Sequence, residues 1–330
     1  MRFIAVSAAL ALGLALTTCA AVARPLDKGP AGSIYSVRDN GTDRRLVVQP
    51  QIPARWFVRS PGGRSIAYVQ EVDGVQALFT ADVSGSNPVR LTPPNMTGIW
   101  AYAFAPNGRF IAFAARETCG DFCQPRLGLF VVDRDGGFLR FLADGSYDPS
   151  WSPDSHRIAS DSPRGIVVTN IGSGASTVIA TGYYVHSPIW SPRGDRIAYG
   201  TSREGYGAAC TVAPDGSRKS CTHGRSFKWL VWSPDGRRLA FKQVRPARLG
   251  IMDAYARHLR RFAQIDRTTR PVAWSPDGTR LAYVSGAYWD AVRVMRVGAP
   301  QRAAVRVVYE PRTTLTDIRW RGHRISYIAG

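Results

Sequence analysis

Side chains able to do chemistry are thinly spread along this 330-residue chain. The five histidines, His156, His186, His223, His258 and His323, never stand four residues apart, so no helix face offers two of them to one metal ion. His186 and His223 are the best placed, since both fall in connections between repeated units. Serine nucleophiles fare no better. Gly63-Arg64-Ser65, Gly200-Thr201-Ser202 and Gly224-Arg225-Ser226 all lack the closing glycine of a Gly-x-Ser-x-Gly elbow. Asp133 and Asp135 share a short loop without the further acidic ligands that calcium needs. No metal, cofactor or catalytic set is expected.

The cysteines point to an oxidising compartment. Apart from Cys19 they number four, Cys119, Cys123, Cys210 and Cys221, an even count that suits an exported chain. Cys210 and Cys221 flank the turn Pro214-Asp215-Gly216-Ser217. Pairing Ala213 with Arg218 across it sets Cys210 directly opposite Cys221, a geometry that allows a cross-strand disulfide. Cys119 and Cys123 enclose Gly120-Asp121-Phe122 at an expected hairpin tip and form the second candidate pair; no other Cys or His pair stands at ligand spacing to make it a metal site.

The elements that must position these groups come from a repeat: an aromatic, Ser-Pro-Asp-Gly, a basic residue, an aliphatic, a small residue and an aromatic. The clear copies are Trp190-Ser191-Pro192-Arg193-Gly194, Trp232-Ser233-Pro234-Asp235-Gly236 and Trp274-Ser275-Pro276-Asp277-Gly278. Trp151-Ser152-Pro153-Asp154 is followed by Ser155, and Phe104-Ala105-Pro106-Asn107-Gly108 is softer. Arg59-Ser60-Pro61-Gly62-Gly63 has lost its aromatic, and Trp320-Arg321-Gly322-His323 has a shortened turn. Successive anchors lie 45, 47, 39, 42, 42 and 46 residues apart, the length of one four-stranded propeller blade. Proline, aspartate and glycine suit the successive positions of a tight turn. After it, runs such as Ile66-Ala67-Tyr68 and Leu281-Ala282-Tyr283 suit a strand covered on both faces.

The two ends complete the count. The last copy supplies one hairpin, and Ile34-Tyr35-Ser36-Val37 with Arg45-Leu46-Val47-Val48 around Asn40-Gly41 supplies another. Two half-blades make one, so the chain is expected to be an all-β, seven-bladed β-propeller closed by its N- and C-terminal hairpins, which also removes exposed sheet edges. Six blades with a spare C-terminal hairpin is the alternative. Four residues before each anchor, at the start of each innermost strand, stand Arg55, Trp100, Tyr147, His186, Lys228, Arg270 and Thr316. In register, these seven surround one mouth of the central channel, where cationic and aromatic groups suit an anionic or carbohydrate-like ligand. The opposing expectation is that they cap strands and pack on neighbouring blades.

The Trp-Ser-Pro-Asp-Gly repeats resemble the WD-like repeats of TolB-type propellers over nearly the whole chain beyond its leader. The resemblance implies a periplasmic partner of other envelope proteins without a catalytic role. The α/β domain that precedes the propeller in TolB has no counterpart here, since strands are expected soon after the leader.

That leader, residues 1–23, reads as a signal peptide: Arg2, an apolar core over 4–16 and the small-x-small string Ala21-Val22-Ala23. Leu16-Thr17-Thr18-Cys19 offers the competing reading of lipidation at Cys19. Residues 24–32 form a short leader to a propeller over 33–330, and no later stretch is long enough to span a bilayer. The chain is expected to be secreted, periplasmic or held at the envelope, and monomeric. Its formal charge is +19, concentrated after position 224, where 21 Lys and Arg stand against 7 Asp and Glu. Nearly all the cations are arginine. This basic arc reads either as a solvated surface or as a face for an acidic partner. Export argues against nucleic acid and for an envelope or extracellular protein or an anionic polymer. The preferred expectation is an exported, non-catalytic binding or scaffold propeller. The alternatives are a lactonase-, lyase- or hydrolase-type enzyme at the channel mouth, and a surface module binding anionic polymers through the basic arc.

Overall fold

Each repeat closes a hairpin through its own side chains. In the computed structural model, Ser233 Oγ donates to Asp235 Oδ1 at 2.6 Å and accepts from Arg238 N at 2.9 Å. Gly236 N donates to Ser233 O at 2.9 Å. Gly236 has φ +63°, and Ser155, standing where the third copy lacks glycine, is held at the same +63°. The left-handed conformation is thus a demand of the turn, which glycine meets without strain. The same serine–aspartate bond recurs at Ser152–Asp154 and Ser275–Asp277.

The structure describes residues 32–329, apart from 53–56, 119–124, 146–147, 203–206, 223–226, 266–267, 269 and 312. These form seven four-stranded antiparallel sheets, and the only helix among them is one short turn, Gln301–Ala303. Blades 1 to 6 take consecutive strands. Their innermost strands are Phe57–Arg59, Met96–Phe104, Ser150–Trp151, Val185–Trp190, Phe227–Trp232 and Arg270–Trp274. Blade 7 is composite, ordered Arg45–Val48, Ser33–Arg38, Arg324–Ala329, Leu315–Arg321. Ser33 to Arg38 pair with Ala329 to Arg324 without a break, so the two ends of the chain share one sheet.

Packing shows that the ring is shut. Seven hydrophobic clusters each draw on two adjacent blades, including blades 7 and 1, where Ile34 and Ile328 meet Phe57, Ile66 and Tyr68. The second strand of each blade is covered on both faces, as its alternation of large and small residues requires. The anchor tryptophans are buried and stitch neighbours together. Trp151 Nε1 donates to Ala103 O, Trp232 to Ile189 O and Trp274 to Val231 O, at 3.0, 3.1 and 3.0 Å. The basic residue of the repeat has its own part. Arg157, Arg238 and Arg280 lay their guanidinium groups over Trp190, Trp274 and Trp320, the anchors of the next blades, at 5.0, 5.0 and 4.9 Å. Such cation–π pairs contribute about 0.5–2 kcal/mol each.

Arginine also holds the composite blade. Arg324 Nη1 reaches Asp43 at 2.9 Å, and Arg44 binds Glu310 and donates to Tyr327 Oη at 2.8 Å. Arg59 of blade 1 is bound to Asp317 of blade 7.

Candidate functional site

The inner strands are not regular where they begin. In blades 4, 5 and 7 the ladder to the second strand slips between His186 and Ile189, Lys228 and Val231, and Thr316 and Arg319. At each slip the residue three before the anchor takes a left-handed backbone: Ser187 at φ +51°, Trp229 at +50° and Asp317 at +42°. Such a bulge re-aims side chains, and a bulky tryptophan at positive φ is held there only by its surroundings. Blade 2 slips as well, between Thr97 and Ala101, with Gly98 at φ +57° beneath the Trp100 ring. A Cβ on Gly98 would stand 3.4 Å from Trp100 Cζ3.

The irregularities of blades 2, 4 and 5 frame a cavity of about 1170 Å³ on the face opposite the Ser-Pro-Asp-Gly turns. It spans blades 2 to 5. Trp100, His186 and Lys228, three of the seven positions picked out by register, line it together. So do Asp148, Ser187 and Trp229, each one residue later in its repeat, which register alone did not single out. The only hint in the sequence is Phe227-Lys228-Trp229-Leu230, where strand alternation breaks. His186 lies inside strand Val185–Trp190 rather than in the connection before it.

The cavity's polar groups are tied in a chain. Ser187 Oγ donates to Asp148 Oδ2 at 3.0 Å, and Asp148 N donates to Asp161 Oδ1 at 2.9 Å. His186 Nδ1 lies 3.2 Å from the same Ser187 Oγ. A hydroxyl has one proton, here given to Asp148, so His186 donates from Nδ1 and keeps Nε2 as an acceptor. Its ring packs against Gly200, where a Cβ would come within 2.6 Å of Cε1. Burial holds the imidazole below its ordinary range; Asp161 and Asp148 oppose this and Lys228 assists it. His186 is therefore neutral at neutral pH. The order carboxylate–serine–histidine is the reverse of a triad, in which histidine stands between the other two and takes the serine proton. Among the described residues no group of His, Cys, Asp and Glu side chains is arranged to hold a metal ion.

Aromatic rings form the walls. Trp229 is 38% exposed, with the ammonium of Lys242, itself 2% exposed, 4.9 Å from its ring centre. Trp100 is 44% exposed, and Tyr184 stands out beside His186 with ring centres 5.5 Å apart.

The remaining expected positions fall elsewhere. Thr316 starts the bulge of blade 7 but does not line this cavity. Arg270 opens the inner strand of blade 6. Arg55, Tyr147, His223 and the pair Cys119 and Cys123 lie outside the described residues, as do Cys19 and the leader. Cys210 and Cys221 stand directly opposite and are joined as a disulfide. Of the basic arc, Arg238, Arg280, Arg319 and Arg324 serve blade-to-blade or ring-closing contacts, whereas Arg248, Arg260, Arg261, Arg302 and Arg306 stay exposed on blades 5 and 6. Among the described residues no helix is long and apolar enough to cross a membrane.

No family model matches the chain. An uncharacterized protein of Agrobacterium fabrum is 25% identical over 186 residues, covering 51% of this chain and 61% of its own length, so the chain spans less than two thirds of that relative. Among solved structures, a protein assigned as TolB from Agrobacterium tumefaciens aligns with a TM-score of 0.51 at 20% identity, over 70% of this chain and 88% of the other. An oligogalacturonate lyase in complex with manganese aligns over 90% of both chains, with a TM-score of 0.58 and 13% identity. The β-propeller domain of Cps50 (Swd1) from Myceliophteria thermophila gives 0.57 at 15% identity, over 84% of this chain and 96% of that one. At such identities these likenesses speak to architecture, not to activity. By repeat and strand order the chain is a seven-bladed β-propeller, a fold it has in common with these solved structures.

Proposed function

We propose that the protein is an exported, non-catalytic binding propeller whose ligand face is the channel-mouth cavity of blades 2 to 5. One observation carries the reading: residues chosen by repeat register alone, Trp100, His186 and Lys228, meet in one cavity with Asp148, Ser187 and Trp229. Aromatic walls with a few placed polar groups are the usual make-up of a binding site. The Cys210–Cys221 disulfide supports an envelope or extracellular location, where such bonds persist. Its partner is an envelope or extracellular protein or polymer.

The test compares ligands captured from the native envelope or secreted fraction by the wild-type protein and by variants. Retention should be lost in Trp100→Ala/Trp229→Ala and kept in Arg260→Ala/Arg261→Ala, on the outer strand of blade 5. The opposite pattern would move the binding face to the basic arc and favour the anionic-polymer reading, whose binding should weaken steeply as salt rises.

A second reading, an enzyme at the same mouth, draws on the meeting of Asp148, Asp161 and His186 and on the likeness in fold to a manganese-bound oligogalacturonate lyase. A stoichiometric metal retained through purification, or turnover lost in His186→Gln, would establish it.

A further inference from the structure

Resting on the proposed binding face, we infer that the cavity's ligand is an uncharged or N-acetylated oligosaccharide, held by hydroxyl donation to Asp148, Asp161 and His186 Nε2 and by stacking on Trp100 and Trp229.

Size comes first. About 1170 Å³ exceeds the range of roughly 300–1,000 Å³ usual for small-molecule pockets, so an oligomer fits better than a single small molecule. The chemistry of the floor comes next. Carboxylates accept hydrogen bonds and do not donate them, and the neutral His186 turns its remaining acceptor away from Ser187. A set weighted toward acceptors calls for a ligand rich in hydroxyl or amide donors. An acidic chain would meet Asp148 and Asp161 at close quarters, and like charges in a partly desolvated site are unfavourable. Among the described lining residues the two carboxylates are matched by two cations, Lys228 and Arg164, both exposed like Asp148, so the lining carries no net positive charge to draw in an acidic chain.

The walls point the same way. Trp229 is kept at an unfavourable backbone angle and set over the Lys242 ammonium, which presents the ring in a fixed orientation. Trp100 is carried on the other side of the cavity by the bulge over Gly98. Rigid, amphipathic aromatic faces give contact area at little cost in conformational entropy. A bound peptide is the competing occupant of a propeller mouth. Peptides recognised as an added strand need a continuous edge of unpaired backbone groups. Here the inner strands of blades 4 and 5 bulge at Ser187 and Trp229, which breaks that edge within the cavity.

The experiment titrates the purified full-length mature protein with short oligosaccharides in three sets, neutral hexose, N-acetylhexosamine and uronic acid, followed by tryptophan fluorescence and calorimetry. Saturable binding of a neutral or N-acetylated set is expected, weakened about tenfold or more by Trp229→Ala or Trp100→Ala. Asp148→Asn, nearly isosteric, keeps the fold testable if an aromatic variant does not fold, and it should weaken these sugars while improving any residual uronate binding. Tighter binding of the uronate set than of the neutral ones by the wild type would overturn the inference. If no sugar binds, but a peptide or protein partner does and is lost in Trp100→Ala/Trp229→Ala, the sugar assignment falls and the binding face stands. If a ligand of any class is retained undiminished by that double variant, both fall.

Discussion

Asp317 is the hinge of the ring's closure, and its charge alone can be removed. It sits in the bulge of blade 7 at φ +42°, a conformation that aspartate and asparagine share more readily than other side chains. Its carboxylate binds the guanidinium of Arg59, which is only 8% exposed, and accepts from Arg319 Nε at 2.9 Å. Burial pushes the Arg59 guanidinium below its ordinary range, Asp317 opposes that shift, and Arg319 and Arg321 add to it. Asp317→Asn thus leaves a buried cation without a counter-ion, next to a second guanidinium. Removing one partner of a buried pair costs about 3–5 kcal/mol. Arg59 would still donate to Asp317 O at 2.7 Å and to Ser326 Oγ at 3.1 Å, so the lower end, about 3 kcal/mol, applies. At about 2–4 °C per kcal/mol, the melting temperature should fall by roughly 6–12 °C. Circular dichroism melts of wild type and Asp317→Asn measure this, with Asp135→Asn as control. The Arg134–Asp135 pair lies at 3.5 Å with both side chains exposed, and its loss should cost close to nothing. An Asp317→Asn variant that melts with the wild type would refute the idea that ring closure depends on this buried ion pair.

Three further outcomes are expected. Trp232→Ala should cost about 3–5 kcal/mol in denaturant unfolding, since the ring is buried between blades 4 and 5 and its Nε1 bond to Ile189 O is lost; a loss under about 1 kcal/mol would count against its anchoring part. Reducing Cys210–Cys221, which lie 11 residues apart in sequence, should lower stability by about 3 kcal/mol, and free-thiol labelling of the native protein would reveal at once an absent bond. Hydrogen bonds from Ser275 and Thr279 hold Asp277 at a pKa of about 2, below the ordinary carboxylate value. A depressed folded-state value means that its contribution is whole above about pH 4 and is lost as pH falls toward about 2. The acid limb of a melting-temperature profile should therefore flatten in that window in Asp277→Asn, and an unchanged limb would show that the turn carboxylate is not coupled to folding.

The repeat was legible residue by residue because its rules are local. Pro, Asp and Gly within five positions specify a turn, and Ile-Ala-Tyr beyond it specifies a strand covered on both sides, whatever lies farther along the chain. Counting half-units at Ile34 and Trp320 was enough to expect a shared seventh blade, because unpaired sheet edges are unfavourable. The cavity was only half legible. Register led to Trp100, His186 and Lys228, but Ser187 and Trp229 depend on bulges that exist only once two strands are paired, and Asp148 on a segment ahead of its strand that the turn rules do not reach; pairing is not written in either strand alone. The arginines make the same point from the other direction. As composition they amounted to a charge of +19, whereas Arg238 and Arg280 turn out to lie on tryptophans some forty residues onward, and Arg59 on a carboxylate near the other end of the chain. Contacts between neighbouring blades decide which charges are spent inside the ring and which remain for a partner, and those contacts arise only in the tertiary structure.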